Sequence, residues 1–331
     1  MRNWGGILYN IPMFDFSVLL AAALASSSLG FAESKTLAVQ IHLDRAGFSC
    51  NTIDGQWGAK SENALRAYER ARATAAGSVP APAASPNEAY DRYFADAPDP
   101  FRLVEVTQTD LDALVKIPED AAGRAKLPRM GYESIKEMYA ERGHLSQTAL
   151  SKMNPGVDWA NVKPGLKLVI PNFPSIDEEL SAGDRGRPGR PKRPEAALVK
   201  VSVSRLQVTA YDADGKILAL FPCSIAANKT KVPAHGELKV TSYVARPNYT
   251  YTPDYTPAGR KVQRYIWPEG ENCPVGVAWM GLNLPGYGIH GTPRPESIGF
   301  TGSHGCFRLA NWNAARLYAM CRSGTKVVIE P

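Results

Sequence analysis

The sequence predicts a multidomain α+β protein: a small helical module at the N-terminus, a βααβ module in the middle, and a mostly antiparallel, β-sandwich-like domain at the C-terminus. Three observations carry this. The chain has 331 residues, more than one core of ~150 residues accommodates. Two stretches rich in Pro with Ala or Gly, Thr74 to Pro86 and Ala182 to Ala196, interrupt it and read as tethers. The hydrophobic period is helical in the first two parts and becomes two after Lys200. With 44% apolar and 21% charged residues, wholesale disorder and collagen-like repeats are excluded.

Phe16 to Ala25 is an uncharged apolar run followed by Ser26-Ser27-Ser28 and Gly30-Phe31-Ala32. It falls short of the ~20 residues needed to span a bilayer. An apolar core of this length before small residues reads as a secretory signal over residues 1–32, cleaved after Ala32, despite a weak charged region with only Arg2. The expectation is export to the periplasm or cell wall, with no transmembrane segment.

Residues 33–73 form the helical module. Leu37 and Ile41, with Val39 and Leu43, recur at i,i+4; Gly47 closes that helix, Asp54-Gly55 turns the chain, and Ser61 is expected to cap a second helix carrying Leu65 and Tyr68. Val39-Gln40, Ala46-Gly47-Phe48, Ile53-Asp54-Gly55, Gly58 and Ala64-Leu65 together resemble the peptidoglycan-binding type 1 module. Residues 74–100 read as a linker. In 101–173, Ile135, Met138 and Tyr139 share a helical face, Leu150 and Met153 lie on a second helix, and Leu166 to Ile170 is a strand. Asn154-Pro155-Gly156 and Pro164-Gly165 through Pro171 resemble a LysM domain, whose first strand would fall around Arg102 to Thr107 ahead of a long insertion. The resemblance implies glycan strands as a partner.

Residues 174–197 are expected to be a second, basic linker. Within it, from Ala182 to Ala196, Arg185, Arg187, Arg190, Lys192 and Arg193 outnumber Asp184 and Glu195, an excess of +3 that is half of the chain's net charge of +6. The segment has no aromatic residues for base stacking, so no nucleic acid partner is expected; anionic wall polymers or lipid head groups suit it better. From 198 to 331 the β domain follows. Val201, Val203, Leu206, Val208 and Ala210 read as an alternating run, Asp212 to Gly215 as a turn and Lys216 to Phe221 as the return strand. Asn311 to Cys321 reads as a helix capped by Asn313, and Val327 to Ile329 as the last strand.

The chemistry concentrates in residues 286–312. Cys306 follows Ser303-His304-Gly305 and precedes Phe307-Arg308, and His290 lies sixteen residues upstream. A thiol becomes an effective nucleophile near neutral pH when a base or a positive charge assists it, and imidazole is the usual supplier. His304, two residues away, shares a strand face with Cys306, whereas His290 has to be delivered by chain reversal. Gly299, Gly302 and Gly305 permit close backbone approach and an oxyanion site.

His290-Gly291-Thr292 followed by Ser303-His304-Gly305-Cys306 and Arg308 resembles the catalytic motif of L,D-transpeptidases, with Gly286-Tyr287-Gly288-Ile289 ahead of it. The resemblance implies Cys306 as nucleophile, His290 as general acid and base, and the Gly291 carbonyl in place of a triad carboxylate. It implies peptidoglycan tetrapeptide stems as substrate, an amine acceptor on a second stem or an anchored protein, and no metal or organic cofactor. Gly305 is a candidate oxyanion donor, and Ser303, His304, Arg308 and Tyr287 are candidate substrate contacts. Val232-Pro233-Ala234-His235-Gly236 departs from the Pro-Thr-Pro-x-Gly segment of many members.

Other readings stay open on the same residues: an L,D-carboxypeptidase or amidase, or a non-catalytic wall-binding protein. A zinc site on His290, His304 and Cys306 lacks the paired cysteines of structural zinc. Five cysteines leave at least one outside an intrachain disulfide; Cys50, Cys223, Cys273 and Cys321 can form two bonds and leave Cys306 over, and Cys321 also suits a helix core. His42, His144 and His235 carry no partner pattern and read as surface or satisfied core.

Overall fold

The computed structural model describes residues 34–76, 81–183, 194–226, 236–253, 262–299, 302 and 305–331. The expected secretory signal (1–32), the basic run 184–193, Val232 to His235, and Ser303 and His304 lie outside the described residues.

The N-terminal unit comprises α1 (Lys35–Arg45), α2 (Ala59–Ala76) and α3 (Pro86–Tyr93). In α1 the two i,i+4 pairs lie on different faces. Leu37 and Ile41 join a core with Ile53, Leu145 and Leu150, whereas Val39 and Leu43 join another with Phe48, Leu65 and Leu220. A helix apolar on both sides is buried on both sides, so α1 is a shared wall between units. Gly47, at φ +95°, ends it, and the chain then bridges to the edge of the C-terminal sheet through Ser49 N to Leu220 O (2.8 Å) and Leu220 N to Gly47 O (3.0 Å). Ser61 does not cap α2; it lies within the first turn, buried, and accepts from Gln40 Nε2 at 3.1 Å. The linker reading of 74–100 is corrected by α3: Ser85 caps it, accepting from Glu88 N, and Ala89 and Phe94 bury themselves against α1 and α2.

The middle unit pairs β1 (Phe101–Glu105) antiparallel with β2 (Lys167–Pro171), Phe101 opposite Pro171. Between them come α4 (Gln108–Asp112), α5 (Ala121–Arg124), α6 (Ile135–Arg142) and α7 (Gln147–Met153). The second linker reading also needs correction at its start, because Ile176–Ala182 forms α8, with a Ser175/Glu178 capping box and Leu180 buried in the C-terminal core.

The C-terminal strands are β3 (Leu198–Ser202), β4 (Gln207–Tyr211), β5 (Ile217–Pro222), β6 (Gly236–Ala245), β7 (Tyr249–Tyr251), β8 (Tyr265–Trp267), β9 (Ala278–Leu282), β10 (Gly288–His290), β11 (Phe307–Arg308) and β12 (Lys326–Glu330). The run read as one alternating strand is two: Leu206 turns at φ +52° and pairs β3 against β4, Leu198 opposite Tyr211. In place of a sandwich there is one eight-stranded sheet, ordered β11-β10-β9-β6-β12-β3-β4-β5, and β7 and β8 pair apart from it. Its halves join at β6, where a register shift between Val240 and Ser242 re-aims the strand from β12 to β9. Two pairs are parallel, β12 with β3 and β10 with β11. Helix α9 (Asn311–Met320) packs its Ala314, Ala315 and Leu317 on this sheet. Asn313 is not its cap; it is buried and donates to Ser49 Oγ at 3.0 Å.

Instead of tethered beads, the three units share cores and a buried ion cluster. Arg316 of α9 meets Asp44 of α1 (3.1 Å) and Glu179 of α8 (3.2 Å), all nearly inaccessible to water. No disulfide links any of the five cysteines; Cys50, Cys223, Cys273 and Cys321 are buried. Among the described residues no helix is long and apolar enough to cross a membrane.

Candidate active site

The site forms where β10 and β11 run parallel. Their register sets Ile289 beside Phe307 and His290 beside Arg308, which brings Cys306, the residue before β11, alongside the strand that ends in His290. Chain reversal over sixteen residues thus delivers the second histidine of the motif. Apolar neighbours hold this corner: Ile289 and Phe307 are inaccessible in the core beneath it. Ser224 exchanges two backbone hydrogen bonds with Arg308 (2.9 and 3.0 Å), which fixes β11 from its other side.

His290 is buried, and its Nδ1 stands 2.7 Å from the Gly291 carbonyl oxygen. A carbonyl only accepts, so Nδ1 carries the proton and Nε2 is the basic nitrogen. The indole of Trp279 stacks on the imidazole at 5.4 Å and 22°. Burial pushes the imidazole down to about 4, the Gly291 bond works against that, and the Arg308 charge adds to it. The Cys306 thiol is half-buried, with Sγ 3.4 Å from the Gly286 carbonyl oxygen. Its burial raises the thiol above its ordinary value, while a backbone hydrogen bond from Gly288 and the Arg308 charge favour the thiolate. At neutral pH the resting pair is therefore a neutral thiol and a neutral imidazole.

Of the other residues singled out in the sequence, Tyr287 lays its ring against Gly305, where a Cβ would stand 3.1 Å from Cε1. Arg308 is partly buried, with the charges of Arg294 and Cys306 and the Tyr249 phenol in electrostatic reach. The structure thus gathers Cys306, His290, Gly291, Gly305, Arg308 and Tyr287; Ser303 and His304 are outside the described residues.

Three further residues had no distinctive signal in the sequence. Asn311, fully buried, donates Nδ2 to the Glu271 carbonyl (3.0 Å) and accepts from Val277 N (3.3 Å). Its Oδ1 presses so closely on Gly291 and Gly276 that a Cβ on either would stand within 2.3 Å and 2.1 Å. Gly276 also needs φ +60°, so two glycines and one amide seat the carbonyl that holds His290. Trp279 is the third; β9 places it opposite His290 in register.

Residues 196–329 match the YkuD family, the L,D-transpeptidase catalytic domain. Individual relatives agree. A Bacillus licheniformis protein named as the L,D-transpeptidase YkuD is 27% identical over 186 residues, covering 56% of this chain and 87% of that one. An L,D-transpeptidase of Fuscovulum blasticum is 33% identical over 122 residues, 35% of this chain and 60% of its own length. YbiS of Escherichia coli K12, also named as an L,D-transpeptidase, is 26% identical over 195 residues and is 58% covered. Among solved structures, an L,D-transpeptidase from Mycobacterium smegmatis aligns with a TM-score of 0.32 and 20% identity, covering 40% of this chain and 58% of that one.

Proposed function

We propose that the C-terminal domain transfers acyl groups on peptidoglycan tetrapeptide stems through a Cys306 thioester. The observation that supports this reading is the parallel β10–β11 pair, which runs the strand that follows Cys306 alongside the strand that ends in His290, whose Nε2 is the basic nitrogen.

In the first step Cys306 Sγ attacks the carbonyl at the L-centre of the third residue as His290 Nε2 takes the thiol proton. A C–S bond forms, the C–N bond to D-alanine breaks, and the proton passes to the departing amine. Because the resting pair is neutral, proton transfer accompanies attack, and the transient imidazolium leans on the Gly291 carbonyl. In the second step an amine nitrogen forms the new C–N bond, the C–S bond breaks, and the amine proton returns through His290 to the sulfur. A second stem as the acceptor gives a 3→3 crosslink; water gives a trimmed stem. Backbone N–H groups at Gly305 and Cys306 serve the oxyanion, a contribution of about 3–4 kcal/mol per donor in acyl-transfer enzymes. Arg308 binds a substrate carboxylate, and Tyr287 forms a wall of the site.

This chemistry belongs outside the cytoplasm, where the wall polymer lies. The N-terminal units, similar to peptidoglycan-binding and LysM modules, hold the enzyme against that polymer. Mass spectrometry of products from disaccharide tetrapeptide decides the matter: dimer with D-alanine release from wild type and none from Cys306→Ser. Equal activity of Cys306→Ser overturns the mechanism.

A further inference from the structure

The segment that joins the site histidine to the nucleophile is held from outside the catalytic domain. After His290-Gly291-Thr292 the chain makes a short 3-10 turn, Pro295–Ser297, and the Ile298 side chain is then inaccessible to solvent. Two donors of the N-terminal unit reach this segment. Asn51 Nδ2 donates to the Pro295 carbonyl and Lys60 Nζ to the Ile298 carbonyl, each at 2.7 Å. A turn this short leaves its last carbonyls open to donors from elsewhere. Gly299, at φ +86°, lets the Lys60 stem lie against the backbone, where a Cβ would stand 3.3 Å from Lys60 Cε.

Asn51 makes its contact under two local penalties. It adopts φ +73°, a left-handed conformation that asparagine tolerates better than most residues, and its Oδ1 is buried with no hydrogen-bond partner among the described residues. Strain and an unsatisfied acceptor on one residue point to a role beyond local folding. The catalytic domain fixes its seat in return: Asn51 N donates to Ser49 Oγ (3.1 Å), which also accepts from Asn313 of α9 (3.0 Å). From Gly299 the hold passes on through Ser224, which is almost fully buried. Its Oγ accepts from Gly299 N at 2.9 Å, and its backbone is the one that pairs with Arg308, two residues after Cys306. Leu309 N then donates to the His290 carbonyl at 2.8 Å. Both flanks of the stretch that carries Cys306 are thus gathered at one serine, beside the strand of the base.

We infer that Asn51 and Lys60 are positioning residues for Cys306, by which the N-terminal unit fastens the base-to-nucleophile segment in its working geometry. The inference rests on the transpeptidase reading for its catalytic readout, and it gives the N-terminal unit a part in the chemistry that holding polymer does not require. Both side chains act through backbone carbonyls and Ser224, so what they supply is the placement of the thiol relative to the imidazole. Placement of that kind acts on the rate of the bound complex, because a displacement of about 1 Å between reacting groups costs up to about 10²-fold.

The test uses the full chain carrying Asn51→Gly and Lys60→Met. Glycine suits φ +73° and methionine keeps an apolar stem, so the fold is retained and the two donors are lost. Arg45→Met is the control, since Arg45 also joins units but donates to the Asn172 and Pro100 carbonyls (2.9 and 3.1 Å) of the middle unit. On disaccharide tetrapeptide the double variant should lose about ten- to hundredfold in kcat with KM unchanged. Amide hydrogen exchange at Gly299 and Arg308 should quicken about tenfold as the segment opens more often. Arg45→Met should match wild type in both. Where wild type turns over, an unchanged kcat, an unchanged exchange rate or an equal loss in Arg45→Met overturns the inference. No turnover of any stem by wild type sinks the transpeptidase reading, and the exchange rates by themselves then decide whether the N-terminal unit fastens the segment.

Discussion

Two buried histidines invite comparison, His290 in the candidate site and His144 at the junction of the units. His144 has the more enzyme-like partner. Its Nδ1 is 2.9 Å from Asp44 Oδ1, and its ring lies between Phe173 (3.9 Å, 8°) and Trp312 (4.8 Å, 10°). Arg316 also binds Asp44, so that, although burial works against ionisation, His144 and Arg316 hold the Asp44 carboxyl down at about 2. Burial drives the His144 imidazole below its ordinary value, against the pull of Asp44. His290 has only a backbone carbonyl, and its strand runs beside the one that Cys306 precedes. A carboxylate thus partners the histidine of the buried ion cluster, and a backbone carbonyl the histidine of the candidate site. His144 and its neighbours are a lock between three units, built from one residue of each: Asp44, His144 and Arg316.

Substitutions that separate the two regions should do so most sharply at the thiol. Cys306→Ser is expected to abolish turnover, and His290→Gln to lower kcat by about 10²- to 10⁴-fold, both with unchanged melting temperature. His144→Gln keeps turnover and lowers the melting temperature; loss of activity in folded His144→Gln would erase the distinction. Arg316→Met leaves Asp44 and Glu179 buried without their cation and should cost about 3–5 kcal/mol in denaturant unfolding, with kcat preserved under stabilising conditions.

A smaller effect is expected at Asn311. Asn311→Ala removes the amide that seats Gly291, costing about 1–3 kcal/mol of stability through unsatisfied backbone groups and lowering kcat more than it raises KM. In the pH profile of kcat/KM, the acid limb should fall at about pH 4 instead of near 6.5, because His290 must be neutral to take the thiol proton and burial holds it there. Stability moves in the same sense at both histidines. As pH falls below 6.5 the unfolded imidazoles take up protons that the folded ones refuse, so acid destabilises the fold. The smallest readout is chemical: iodoacetamide should label Cys306 alone in the native chain, since burial holds the Cys223 and Cys273 thiols at about 12 and about 11 and Cys50 and Cys321 are enclosed as well.

The legible parts of the chain were those where chemistry or period is local. His290-Gly291 and Gly305-Cys306 announced themselves because a nucleophile and base need particular residue types at short spacing, and the i,i+4 pattern of α1 marked a helix. The same α1 pattern also held an unread message. Leu37/Ile41 and Val39/Leu43 are two stripes, and two stripes mean two partners. Residues 86–94 passed for linker because the Ala- and Pro-rich run before them dominates the local composition, although Ser85-Pro86 with Glu88 is a helix start. The turn at Leu206 was hidden because a branched apolar residue at φ +52° carries no turn signature. Asn311, Gly276 and Trp279 were silent since their roles lie in what they touch.

By itself, then, the sequence determined the class of the C-terminal domain, the candidate thiol and imidazole within it, and the helical or strand character of most segments, because these depend on residue type and short-range period. Only the tertiary structure decided which strands run parallel, that α1 and α8 weld the units together, and that the Asp44–His144 pair is a lock. Each of those depends on residues distant in the chain meeting in space, from His290 beside Arg308 to Asp44 meeting Arg316 across 272 residues, and no local pattern encodes such a meeting.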